Sequence, residues 1–190
     1  MNRKMIVLPV LVLFMLLAVA PALTVAAVKV PLTAHLSNFK AAPGPDSSYW
    51  VAADSVVQIR NWVTSGVLSL HIDSSPAADY EMQINSIVSG TVNHGKDIPY
   101  PGPWPEAKGI WTHEVICTYK EDGAEGTFEG IWNLKSVGWY LTKTSATNGP
   151  SEGHAVLHGT GIFEGMTLYL ETIGPSTVPS AAWTGYVLIH

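Results

Sequence analysis

The chain has 190 residues, a formal net charge of −5 and a single cysteine. Residues 28–190 carry eight Lys and Arg against fifteen Asp and Glu, which argues against nucleic acid or an anionic lipid surface as a partner. Cys117 has no second cysteine to pair with, so the stability of the fold must come from its hydrophobic core.

The N-terminus has the features of an export signal. Arg3 and Lys4 precede an uncharged, apolar run over residues 5–28, and small residues ending at Ala27 or at Ala22 fit the specificity of a signal peptidase. The same run, if uncleaved, is long enough to cross roughly 30 Å of hydrocarbon as a helix. We predict a signal peptide or membrane anchor over residues 1–27. The protein is then secreted or extracytoplasmic, and it touches a membrane only through this segment if the segment stays attached.

From residue 28 onward, apolar and polar residues alternate with a period of two. Such alternation is typical of strands with one buried face, because successive side chains point to opposite sides of a sheet. Clusters of Pro, Gly, Asn, Asp and Ser separate the runs, and no long amphipathic helix interrupts them. We predict a single all-β domain over residues 28–190, preceded by an N-terminal hydrophobic helix. The clearest alternating runs are residues 67–72, 80–85, 111–119 and 166–171.

A short internal repeat indicates how the strands are connected. Residues 126–130 (GTFEG) recur as residues 161–165 (GIFEG). In both copies we expect a hairpin that turns at Glu-Gly, with the preceding Phe capping the core. Two hairpins with the same corner favour an antiparallel up-and-down meander, and closure of about eight strands removes the exposed edges. We therefore predict an eight-stranded barrel, with a two-sheet sandwich as the alternative.

Residues 158–168 (HGTGIFEGMTL) and residues 183–188 (WTGYVL) resemble a group of small exported archaeal and bacterial β-barrel proteins of unknown function. The Gly-x-Gly-x-Phe-Glu-Gly corner is similar to one in barrels of the allene oxide cyclase and dirigent type. The resemblance covers part of the C-terminal third and implies an eight-stranded antiparallel barrel. It carries over no catalytic residue, because no active-site motif of those enzymes matches this chain.

One candidate site lies in the predicted interior. His113 belongs to the more apolar face of its strand, where a polar atom needs a partner. It is either a core histidine bonded to a backbone carbonyl or a polar anchor that holds one end of an apolar ligand in a cavity. Trp111 and Trp132, which also fall on apolar strand faces, are the other predicted ligand contacts.

A second candidate site is an exposed aromatic surface. Trp62 follows Gln58 and Arg60 on what should be a polar face, and Tyr100 and Trp104 lie in a proline-rich stretch predicted to be a loop. Exposed aromatic residues often stack against sugars or a protein partner. The alternative is that these aromatic residues are scattered on the surface and have no shared role.

Other polar residues do not form a catalytic or metal-binding set. Glu129 and Glu164 occupy the predicted corners, where a polar residue at a turn tip is expected. His154 and His158 are four residues apart on a strand, about 13 Å, which is too far to share one metal ion. We predict no metal and no cofactor.

The sequence favours non-catalytic binding of a small apolar ligand inside the barrel. The alternative is an extracytoplasmic structural or protein-interaction module. A cyclase- or isomerase-like enzyme is suggested by fold analogy alone, and no convergent acid, base and nucleophile support it.

Overall fold

The computed structural model of the protein describes residues 26–52, 56–94, 102–141, 146–148, 151–172 and 181–190. These residues form strands β1 (Val28–Ala52), β2 (Val56–Ile72), β3 (Ala78–Asn93), β4 (Gly102–Glu121), β5 (Ala124–Leu141), β6 (Ala146–Asn148), β7 (Ser151–Gly161), β8 (Met166–Thr172) and β9 (Ala181–Ile189). No helix that could cross a membrane occurs in this part of the chain. The predicted N-terminal helix lies outside the described residues.

The sheet closes on itself. Hydrogen-bonded neighbours follow the order β1, β2, β3, β4, β5, β7, β8 and β9, and all the pairs are antiparallel. The ring is completed because β9 pairs with β1, from Val28 opposite Ile189 to Leu36 opposite Ala181. The short β6 pairs with the far end of β5. The predicted all-β meander is confirmed, and its eight main strands form one continuous ring rather than two separate sheets.

The period-two pattern of the sequence corresponds to the inner and outer faces of this ring. Leu68, Leu70 and Ile72 of β2 point inward and are buried, whereas Ser69 between them is exposed. The same holds for β4, where the stripe from Trp111 to Cys117 is buried. The core is therefore the inside of the ring, filled by side chains from all eight main strands.

The two ends of the ring differ in what they carry. The lower end is formed by the start of β1 and by the turns at residues 73–77, 122–123 and 162–165. At the upper end, β1 to β5 extend beyond β7, β8 and β9. Within the described chain, the upper part of β1, from Pro43 to Ala52, pairs with β2 alone. The C-terminal His190 and the first described residues both lie at the lower end.

The repeated GxFEG segment forms a corner in only one of its two copies. Residues 162–165 form the β7–β8 turn, as predicted, and Phe163 is completely buried beneath it. The prediction is wrong for residues 126–130, which lie within the first half of β5. The chain has already turned at Asp122 and Gly123, whose positive φ values of 49° and 83° suit a tight hairpin.

Candidate interaction surface

Two of the predicted ligand contacts, His113 and Trp132, meet inside the ring. They are directly opposite each other on β4 and β5, with ring centroids 4.6 Å apart. His113 Nδ1 lies 3.0 Å from the hydroxyl of Ser86, which is itself hydrogen-bonded to the hydroxyl of Thr64. The polar partner of His113 in this structure is thus a chain of two buried hydroxyls, where a backbone carbonyl or a ligand was expected.

The third predicted contact, Trp111, lies on the same inward stripe but has different neighbours. Its indole N–H donates to the Ser136 hydroxyl at 3.1 Å. Its ring lies against Gly90, the residue opposite it on β3: a Cβ added there would be 2.3 Å from Trp111 Cε3. Trp111 therefore fills the space that the missing side chain of Gly90 leaves.

Side chains fill the part of the interior around Trp132. The cavity there has a volume of about 20 Å³, which is room for about one water molecule. Pockets for small organic ligands usually have volumes of about 300 Å³ or more. An apolar ligand at this position would have to displace side chains. The cavity is lined by apolar residues: Leu36, Leu68, Ile84, Val115, Cys117, Trp132, Ala155, Leu157, Leu170 and Trp183.

Burial lowers the reactivity of His113 and Cys117. The Ser86–His113 distance is that of a nucleophile and its base, but burial lowers the pKa of His113 to about 3, so the imidazole is a weak base. Burial also raises the pKa of the Cys117 thiol to about 12, which keeps it protonated. Within the described chain no three His, Cys, Asp or Glu residues are grouped as metal ligands.

Trp62 is not a surface residue, and its predicted role is wrong on this point. Only 2% of it is exposed. The cause is a β-bulge in β2 at Arg60 and Asn61: both are exposed, and Asn61 has a φ of 56°. The extra residue reverses the alternation, so Ile59 and Trp62 both point inward although they are three positions apart.

Of the other two predicted surface aromatic residues, Tyr100 and Trp104, the structure describes only Trp104. Tyr100 lies outside the described residues. Trp104 is in β4, where its backbone pairs with Trp139, so the proline-rich stretch is not entirely a loop as predicted. Prolines are tolerated there because, among the described residues, β3 pairs with β4 only from Lys108 onward, so residues 102–104 have β5 as their one sheet neighbour.

A set of apolar side chains lies on the outer face of the ring, across β2 to β5. Val63, Ile87, Ile116 and Ile131 are each between 42% and 47% exposed. They surround Glu114: Ile87 and Ile131 are directly opposite it on the two neighbouring strands, and Ile116 is two residues along β4. Val63 is opposite Ile87 in turn. We call this surface the outer groove.

The outer groove is a continuous depression. It has a volume of about 500 Å³, and its lining includes Asn85 and Glu129. A second depression of about 320 Å³ adjoins it and shares Val63, Ile87 and Glu114. A group of exposed apolar side chains in one depression is a candidate interaction surface, whereas single exposed apolar residues are ordinary.

The charge of the outer groove is negative and uncompensated. Among the described residues Glu114 has no hydrogen bond or ion pair, although it lies between aliphatic side chains. Glu129 accepts a hydrogen bond from the Thr127 hydroxyl at 2.9 Å. No Lys or Arg is found among the described residues lining either depression.

The sequence pattern did not predict this surface, although one of its residues breaks the alternation. Ile116 stands among the polar, outward positions Thr112, Glu114 and Thr118 of its strand. That anomaly identifies one apolar residue on the outer face. The grouping with Ile87 and Ile131 depends on the register of three strands, which no single alternating run contains.

Comparisons with known proteins add no relative: no protein-family model matches the chain, and no curated protein and no solved structure is significantly similar to it.

Proposed function

We propose that this protein is an exported, non-catalytic interaction module that binds a protein partner on the outer groove. The observation that carries the proposal is the exposure of four β-branched aliphatic side chains around Glu114 on one face. Such side chains gain free energy when a partner covers them, roughly 25 cal/mol for each Å² of apolar surface removed from water. The apolar leader supports the exported location of the module.

The close packing of the interior around Trp132 is consistent with this role. Around Trp132 the ring holds side chains and a cavity of about 20 Å³, so it forms a rigid support for an outer face. A binding site built on strands of such a support keeps its geometry better than one built on loops.

Site-specific photo-crosslinking in the native host tests the proposal. A photoreactive residue at Asn85, which lines the outer groove, should give a discrete adduct with a partner, and one at the exposed Thr184 of β9 should not. The double variant Ile87→Ser/Ile131→Ser should abolish the adduct. The control Ile162→Ser should keep it, because Ile162 is equally exposed, at 44%, but lies in a turn at the lower end. The same adducts from Asn85 and Thr184, or an adduct that survives the double variant, would reject the proposal.

A second candidate, uptake of a small apolar molecule by the ring, is favoured by one observation. The indole N–H groups of Trp132 and Trp183 are buried and have no hydrogen-bond partner among the described residues. The two rings meet edge to face at 4.7 Å and both line the small cavity. A guest with an acceptor atom would satisfy these donors after side chains move aside.

Native mass spectrometry of the protein purified from its own compartment tests this second candidate. An additional mass that disappears on denaturation would support it. A bare native mass, together with an unfolding midpoint that added fatty acids and sterols leave unchanged, would exclude it.

A further inference from the structure

From the position of Glu114 we infer that the outer groove selects a partner segment in which a basic residue, Arg or Lys, is flanked by apolar residues. This inference rests on the proposed function and specifies the chemistry of the partner. It follows from the sequence positions, the strand register and the charges of the groove.

The groove combines two kinds of contact at one place. Residues directly opposite each other on antiparallel strands have Cβ atoms about 5 Å apart, so the side chains of Ile87 and Ile131 flank the carboxylate of Glu114 on both sides. A long basic side chain matches this arrangement, because its aliphatic stem lies along apolar surface while its charged end reaches a carboxylate. The guanidinium of Arg also offers a planar pair of donors to the two carboxylate oxygens.

Electrostatics argue against the other occupants of such a surface. A second copy docked through the same face by a two-fold axis would bring one Glu114 towards the other, with no Lys or Arg among the described lining residues to offset the repulsion. An anionic lipid surface is repelled by Glu114 and Glu129 and by the excess of acidic residues in residues 28–190. A cationic segment is the occupant that removes the unpaired charge.

The test uses two peptides and the protein expressed as the full chain. One five-residue peptide has a central arginine between valine and isoleucine residues, and the other has citrulline, its neutral isostere, at the same position. Binding is followed by the amide chemical shifts of residues 85–87, 114–116 and 129–131. The variant is Glu114→Gln, and its control is Glu164→Gln, an exposed glutamate in the β7–β8 turn.

We expect the arginine peptide to bind the outer groove about three- to fivefold more tightly than the citrulline peptide, the size of effect typical of an exposed ion pair. Glu114→Gln should remove this difference and Glu164→Gln should retain it. Raising the salt concentration should reduce the difference in the wild-type protein.

Three outcomes would overturn the inference, and they separate it from the proposed function. Equal binding of both peptides at the groove would leave an apolar interaction surface without charge selection. A preference for arginine that persists in Glu114→Gln would place the recognition elsewhere. Groove shifts that depend on protein concentration without peptide would identify a second copy as the occupant. The proposed function itself fails only if crosslinking from Asn85 is not specific to the groove.

Discussion

Gly126 of β5 and Gly161 of β7 lie directly opposite each other at the lower end of the sheet, where their two strands approach closely and Gly126 leaves room for the ring of Phe163. A Cβ on Gly126 would lie 2.8 Å from Phe163 Cδ2, and a Cβ on Gly161 would lie 2.4 Å from the carbonyl oxygen of Glu125. Phe163 stacks on Phe128 with a centroid distance of 4.5 Å. The first glycines of the two GxFEG copies therefore meet at one place in the sheet and do not form two equivalent corners.

Substitution of Gly161 should destabilise the protein more than substitution of Gly123. Both glycines have positive φ, 62° and 83°, so alanine is strained at either position, by about 1 kcal/mol. Only at Gly161 does the new methyl group also meet a backbone oxygen, while nothing lies within 4 Å at Gly123. We expect Gly161→Ala to lower the free energy of unfolding by about 3 kcal/mol and Gly123→Ala by about 1 kcal/mol. If urea denaturation gives equal losses of unfolding free energy for the two variants, the close approach assigned to Gly161 is contradicted.

The stability of the protein should fall on mild acidification because of His113. Burial lowers its pKa from 6.5 to about 3 in the folded state, so between these pH values the unfolded chain binds one proton more than the folded chain. The stabilisation is complete above pH 6.5 and is lost as the pH falls, by up to about 1.4 kcal/mol per pH unit. Urea denaturation between pH 6.5 and 4.5 measures this slope.

The substitution His113→Asn is the control for that slope, since the amide does not titrate. It should flatten the dependence on pH even if it lowers the stability at neutral pH. His71 acts in the other direction: its hydrogen bond to Asp79 raises its pKa, so its contribution is present in full below pH 6.5 and is lost as the pH rises through the raised pKa. An unchanged slope in His113→Asn would show that another group controls the acid response.

Alanine substitution of the two tryptophans in the β1–β2 hairpin should have effects of different size, because the bulge in β2 buries Trp62 whereas Trp50 is half-buried. Trp62 is buried by the phase reversal at Asn61, so Trp62→Ala should lower the free energy of unfolding by about 3–5 kcal/mol. Trp50 is half-buried, with Arg60 over its ring at 5.1 Å, so Trp50→Ala should cost about 1 kcal/mol or less. A small loss of unfolding free energy in Trp62→Ala would show that Trp62 is not buried.

Cys117 should be inert in the folded protein. It is completely buried, and burial raises the pKa of its thiol to about 12. At pH 8 a disulfide reagent should therefore modify it only after unfolding, with one equivalent consumed in urea. Rapid modification without denaturant would show that the interior opens, which would favour the uptake of a small molecule.

Cleavage of the leader should occur after Ala27. Strand β1 begins at Val28, which is opposite Ile189 in the closing pair of strands, so cleavage there leaves the ring complete. The denatured mass of protein isolated from its native compartment should therefore begin at Val28. A mass that includes Met1 would identify the segment as an anchor.

The sequence by itself determined the fold class and the faces of most strands. Alternation with a period of two is a local property of an extended chain, so it indicated that the stripe containing Trp111 and His113 is buried, and the turn signals indicated a meander. The same local rule failed at Trp62, because one residue with positive φ reverses the phase and asparagine adopts that conformation without an obvious signal in the surrounding sequence.

Only the tertiary structure decided which residues act together. Glu114 acquires its aliphatic surroundings from the two adjacent strands, and the Gly126–Gly161 contact joins strands that are not consecutive among the nine. These relationships depend on register, which is set by hydrogen bonds between residues far apart in the chain and by the filling of the ring interior. A local pattern predicts which face of the sheet a side chain lies on. Its neighbours on adjacent strands are determined only when the strands pair.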